Sequence, residues 1–321
     1  MKQLLYLALM LLAAACLSQH TNENTNENTN DVDTIDEESY EVTTRRIKLP
    51  FDNINEIRNR QQYDYVIEHY WDDFAFEAED VTDIYDIDEL NAAFAQYVMI
   101  IPSQQADSLL RSLIHRAESS LAALDMFAEA AHTVLYDPNS PARNDEYYIP
   151  ILEELAKSPL YDEYDKMIPQ HTLHIVKQNR VRSVANNFRY TLADGTQHSL
   201  HSIKADYTIL LFNNPGCETC REVIDQIEHS EKLKELSTKH SIVTLAIYPD
   251  EDIEAWHDYL PSMPQGWICG YDQGMVLTND KLYDLKAIPS LYLLDRAKHI
   301  LIKDGMSIEQ VEQIISQGIQ L

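Results

Sequence analysis

The chain has 321 residues, 53 acids against 25 Lys and Arg, and a formal net charge of −28. Such a surface repels phosphate backbones and anionic headgroups, which argues against nucleic acid as a partner and against a polybasic membrane-surface role. The length accommodates two ordinary domains.

Lys2 followed by the apolar run Leu4–Ala15 has the charge and core of a signal peptide over residues 1–15, and is too short to span a bilayer. The run ends at Ala13-Ala14-Ala15-Cys16. That ending resembles the lipobox of bacterial lipoproteins, except that Ala13 stands where the family prefers Leu. The resemblance implies acylation of Cys16 and a membrane tether through that lipid. Ala13-x-Ala15 also suits an ordinary signal peptidase, which would leave a soluble periplasmic protein, and a retained anchor is the third reading. All three put the body in the cell envelope, facing the periplasm.

Residues 16–45 carry Thr-Asn-Glu-Asn twice, then acids and few apolar residues. They cannot bury enough surface to offset ordering and are expected to form a disordered tether. All seven glycines lie between Gly195 and Gly318. Strand turns need residues tolerant of positive φ and helix bundles need few, so residues 46–185 are expected to form an all-α domain, of unknown function. Leu109, Leu110, Leu113 and Ile114 recur at helical spacing behind a candidate cap at Ser103. Leu121, Leu124, Phe127, Ala128, Ala131, Val134 and Leu135 form a second such face, with breaks at Asp137-Pro138-Asn139 and Ser158-Pro159. Tyr70, Trp71, Phe74 and Phe76 read as core aromatics among solvated acids. No glycine-bearing oxygen-ligand loop for calcium accompanies them.

From residue 186 the pattern changes. Phe188, Tyr190 and Leu192 alternate, Asp194-Gly195 offers a hairpin turn, and Leu200 begins the return. A strand over 207–213, a helix to about 228, a strand over 242–248 and a helix over 253–259 follow. A short strand near 267–269, strands over 291–295 and 299–303 and a helix from Ser307 to about Ser316 close the chain. Strands alternating with helices indicate a layered α/β domain.

Cys217-Glu218-Thr219-Cys220 stands between the first of these strands and its helix. Two thiols one helical turn apart can close a disulfide, and the unpaired N–H groups of a helix start favour a thiolate. Ile288-Pro289 enters a later strand as a candidate cis peptide. Of four cysteines, Cys16 is assigned to lipid, Cys217 and Cys220 to redox work, and Cys269 to a buried strand position.

Residues 186–321 resemble a thioredoxin-like domain of the TlpA/ResA type, in the hairpin, the strand before Cys217, the Pro289 strand and the Asp295–His299 turn. Cys217 and Pro289 lie 72 positions apart, a gap that suits this group better than thioredoxin itself. The front part resembles an uncharacterised helical domain found ahead of such modules in some Gram-negative envelope lipoproteins. The resemblance implies a central mixed sheet flanked by helices and a thiol-disulfide oxidoreductase with no cofactor beyond its own cysteine pair, and no metal. Cys217 would attack, Cys220 would resolve, and Ile288 and Pro289 would contact the substrate. Partners would be protein or peptide disulfides and a membrane thiol electron donor.

Departures are visible. Asn213-Asn214-Pro215-Gly216 replaces the aromatic approach, Leu211 stands where thioredoxin has a buried acid, and Asn214 lacks the hydroxyl of a peroxiredoxin site. Glu218 beside Cys217 opposes its thiolate, which favours the disulfide and makes the dithiol a reductant or exchanger. Two other readings stand beside this one. The first is a redox-inactive thioredoxin-fold binding module or scaffold lipoprotein. The second is zinc held by Cys217, Cys220, His198 and His201, which Pro289 opposes. His171 and His174 read as surface residues of a helix.

Overall fold

A computed structural model describes residues 45–50, 59–305 and 307–321, which belong to one compact unit. Cys16, the 1–15 leader and nearly all of the 16–45 tether lie outside these residues.

The front part is helical: α1 (Arg60–His69), α2 (Val81–Ile84), α3 (Ile87–Ile100), α4 (Ala106–Ala117), α5 (Leu121–Leu135), α6 (Asp145–Leu155) and α7 (Met167–Val176). Caps account for several starts. The Ser120 side chain accepts the Ala123 N–H at α5, and Asn144 accepts those of Glu146 and Tyr147 at α6. The expected cap at Ser103 is displaced. A turn closed by the Gln105 N–H on the Pro102 carbonyl intervenes, and α4 starts after Gln105 without a side-chain cap.

Leu110, Leu113 and Ile114 of α4 are buried, as are Leu124, Phe127, Ala131, Val134 and Leu135 of α5. Leu121, in the opening turn of α5, is exposed instead, and Ala128 is half-buried. Phe127 gathers the aromatic stretch: Trp71, Phe74 and Phe76 have ring centroids 5.1, 5.0 and 5.5 Å from it. Pro169 sits in the first turn of α7, where its missing N–H has no intrahelical partner to lose. Pro150 lies inside α6. Among the described residues no helix is long and apolar enough to cross a membrane.

The rest of the chain builds one sheet from β1 (Arg189–Thr191), β2 (Gln197–Ser199), β3 (Tyr207–Phe212), β4 (Ile242–Tyr248), β5 (Ile268–Tyr271), β6 (Ser290–Asp295) and β7 (Ile300–Ile302). Their order is β2-β1-β5-β4-β3-β6-β7. β3 and β4, and β4 and β5, pair in parallel; the other neighbours are antiparallel. Five helices accompany it: α8 (Glu218–His229), α9 (Glu231–Ser237), α10 (Ile253–Tyr259), α11 (Val276–Asn279) and α12 (Ile308–Ser316). This is the expected α/β architecture, a mixed sheet flanked by helices behind an all-α front.

β3 is buried throughout because both its faces are covered, with Thr208, which accepts from Lys298 Nζ at 3.2 Å, standing among apolar residues. Its alternate residues Tyr207, Ile209 and Leu211 pack with Ile224, Leu236, Val311 and Ile315 of α8, α9 and α12. Leu210 and Phe212 face the other way, toward Leu200, Leu277 and Tyr283. Gly195, at φ +81°, makes the β1–β2 turn. Leu200 opens a 3₁₀ turn after β2 rather than the return strand, because Ser199 and Ser202 hydrogen-bond to each other's backbone there. Sequence reading did not separate α9 and α11. Ser230 turns extended, ends α8 and caps α9 through the Leu233 N–H.

Candidate functional site

The antiparallel register of β3 and β6 positions the site. Phe212 pairs with Ser290, so the residues that follow Phe212 lie beside those that precede Ser290. Asn213 extends β3 by donating its N–H to the Ile247 carbonyl at 3.0 Å. Gly216, at φ +75°, then turns the chain into α8 with open space around it, a conformation that glycine adopts without cost. Cys217 is the N-cap of α8, and its Sγ accepts the Cys220 N–H at 3.1 Å. Cys217 and Cys220 form a disulfide with Cα atoms 5.2 Å apart. Cys217 is half-buried, while Cys220, one turn inside, is fully buried.

Facing them, Ile288-Pro289 is a cis peptide, and the Ile288 carbonyl oxygen lies 3.8 Å from Cys217 Sγ. Among the described residues no backbone N–H donates to that carbonyl. The fold thus brings together Cys217, Cys220, Ile288 and Pro289. Glu218 and Thr219 are exposed at the start of the helix.

The histidines go elsewhere. His198 lies on edge strand β2, with β1, β5 and β4 between it and β3, and stacks on Tyr190 with centroids 6.0 Å apart. His201 Nε2 is 2.8 Å from the Ala185 carbonyl. The cysteines are bonded to one another, and among the described residues no group of three or more metal-ligating side chains occurs. His171 and His174 are exposed on α7.

Cys269 lies on β5 opposite Ala246, as a half-buried free thiol that burial pushes up to about 11. A rise from 9.0 to about 11 leaves roughly a hundredth of the ordinary thiolate at pH values below about 9. After mild reduction, iodoacetamide at pH 8 is expected to modify Cys217 at least about tenfold faster than Cys269. Peptide mass mapping over time checks this; comparable rates would show an accessible, acidic Cys269.

Two features escaped the sequence reading. Asp250 follows β4, and because Phe212 pairs with Ile247, its carboxylate reaches the loop after β3 and accepts the Asn214 side-chain N–H. The segment before Pro289 is also tied to the helical part. Asp145, at the start of α6, has Oδ1 2.9 Å from Lys286 Nζ and Oδ2 2.7 Å from Lys303 Nζ. The Asp145 side chain is 13% exposed and both lysine side chains are 8% exposed. Burial pushes the Asp145 carboxyl up, but the two ammonium groups outweigh it and hold the group below its ordinary value. Asp284, which accepts the Tyr136 hydroxyl at 3.3 Å, is raised because burial outweighs its lysine neighbours.

No protein of curated function matches the sequence. A family model, Domain of unknown function (DUF5106), matches residues 15–179. Among solved structures, a thioredoxin-like protein from Bacteroides caccae is 36% identical, with a TM-score of 0.77, over 86% of this chain and 99% of that one. The C-terminal domain of an uncharacterized protein from Bacteroides fragilis is 40% identical, covering 43% of this chain and 98% of its own, with a TM-score of 0.42. A domain of a possible thiol-disulfide isomerase from Cytophaga hutchinsonii is 24% identical, covering 44% and 95% with a TM-score of 0.38. The sheet and its helices have the thioredoxin-like fold of the first of these structures, and the family match across half the sequence makes the chain a member of the DUF5106 family.

Proposed function

We propose that the protein is a TlpA/ResA-like thiol-disulfide oxidoreductase of the bacterial cell envelope, reducing or exchanging disulfides in proteins or peptides. The observation that carries this reading is Cys217: a half-buried residue whose Sγ is held on a helix N-terminus by the Cys220 N–H and flanked by the Ile288 carbonyl. In the reduced protein the Cys217 thiolate attacks one sulfur of a substrate disulfide and expels the other as a thiolate. Cys220, as its thiolate, then attacks Cys217 of the mixed disulfide. The substrate leaves with two electrons and two protons as a dithiol, and Cys217–Cys220 is closed. Ile288 and Pro289 flank the extended substrate segment during attack.

The pair has to be reduced again, and a membrane thiol relay supplies the two electrons. In this reading residues 1–15 direct export, lipid on Cys16 anchors the protein, and residues 16–45 hold the 46–185 and 186–321 domains off the membrane on the periplasmic side. The cysteines are the only redox group required.

Turnover tests the reading. With dithiothreitol as donor, catalytic amounts of the protein are expected to accelerate insulin disulfide reduction well above the uncatalysed rate; no acceleration would remove the assignment. Direction follows from Glu218, whose exposed carboxylate beside Cys217 disfavours the thiolate and so stabilises the disulfide. Equilibration with glutathione is expected to give a potential on the order of −250 mV, nearer thioredoxin than DsbA. A value above about −160 mV would make the protein an oxidant.

A further inference from the structure

We propose that Asp145 of the helical part is a positioning residue for the segment that presents Ile288 to Cys217, and so sets how tightly a disulfide substrate is held. The inference rests on the oxidoreductase reading above.

The segment is anchored on both sides of Ile288 by residues from the front of the chain. Ahead of it, Gln178 Nε2 donates to the Lys281 carbonyl at 2.8 Å and Asn179 Nδ2 to the Leu282 carbonyl at 2.7 Å. Lys286, two residues before Ile288, has its ammonium on Asp145 at 2.9 Å and 4.2 Å from the centre of the Tyr136 ring. Behind it, Ser290 Oγ donates to Asp304 Oδ1 at 3.1 Å, and Arg143 donates to the Asp304 carbonyl at 2.9 Å. Lys303 closes the arrangement, bonded to Asp145 and donating to the Val176 and Gln178 carbonyls at 3.0 and 2.9 Å. One carboxylate thus joins the segment before Pro289 to the strand end after it.

Among the described residues no apolar cluster spans the helical and sheet parts; their buried cores are separate. The contact is made of polar hydrogen bonds and buried charges; buried charges contribute little net stability compared with apolar packing but have strict geometric requirements. A carboxylate with one ammonium on each oxygen, beside Asp284 Oδ2 at 3.5 Å from the same Lys286 ammonium, defines where Lys286 sits, and Ile288 follows two peptide units later. Asp145 touches neither sulfur nor substrate, so its effect is expected in binding rather than in thiol chemistry.

The experiment compares wild type and D145N by two rates. The first is insulin reduction with dithiothreitol, resolved into KM and kcat. The second is alkylation of reduced Cys217 by iodoacetamide, a small reagent that needs no contact with Ile288. D145N is expected to raise KM by about tenfold while alkylation stays within about twofold of wild type. Should D145N not fold, K286M leaves Asp145 paired with Lys303 and is expected to show the same split.

A KM within about twofold of wild type in a folded variant overturns the inference and leaves the oxidoreductase reading intact. A parallel loss of alkylation and turnover also overturns it, since the site would then have collapsed. A wild type without turnover overturns the oxidoreductase reading, and the inference with it.

Discussion

Replacing Cys217 with serine is expected to lower insulin reduction by more than about 10³-fold, to the uncatalysed rate, while leaving the fold intact. A hydroxyl fits where Sγ caps α8 and can still accept the Cys220 N–H, so the helix start survives. What disappears is the sulfur of the less buried residue of the pair, since Cys220 is fully buried. Cys220→Ala is expected to behave differently. Cys217 still attacks, nothing resolves, and the protein accumulates as a mixed disulfide visible as a mass increase that dithiothreitol removes. Trapping with Cys220→Ala in an envelope extract would also name the substrates. Cys217→Ser activity equal to wild type would exclude redox catalysis by this pair and favour the binding-module reading.

The site was legible in the sequence where its signals are local. The apolar run of β3, the cysteine pair at the next helix start and the proline entering β6 each occupy a few consecutive residues, and antiparallel pairing of two buried strands then brings them together. The helical front was legible through the absence of glycine, because that composition reports on turns rather than on any one helix. Cap placement was less secure. Ser103 has the right chemistry for a helix start, but Pro102 begins a separate turn and the helix waits until Ala106. Short helices such as α11 lack the length for a period to show.

The charged contacts were not legible for a different reason. Asp145 and Lys286 are 141 positions apart, and each reads as an ordinary surface residue in its own segment. Nothing in a local window distinguishes a charge that will be buried against a distant partner from one left in water. Asp250 is a milder case: it becomes visible only once β3 and β4 are known to pair in parallel, which puts the residues after both strands side by side.

Separate apolar cores joined by polar contacts lead to the second large expectation. Phe127→Ala is expected to destabilise the helical part by about 3–5 kcal/mol, because the ring is fully buried and its removal leaves a cavity among Trp71, Phe74 and Phe76. The three tryptophans allow the two parts to be followed independently. Trp71 lies in the helical core, whereas Trp256 and Trp267 belong to the sheet part. In urea, Phe127→Ala should lower the midpoint reported by Trp71 in a Trp256→Phe/Trp267→Phe background, by roughly 1 M or more. The midpoint reported by Trp256 and Trp267 in a Trp71→Phe background should move much less, because among the described residues no buried apolar cluster carries the cavity's cost across. Equal shifts of both would show that the Asp145 contacts weld the two cores into one cooperative unit. Between the two midpoints the sheet and the Cys217–Cys220 pair persist while the anchor of the Lys286–Pro289 segment is gone. There, iodoacetamide should still reach reduced Cys217 at its native rate while insulin turnover falls.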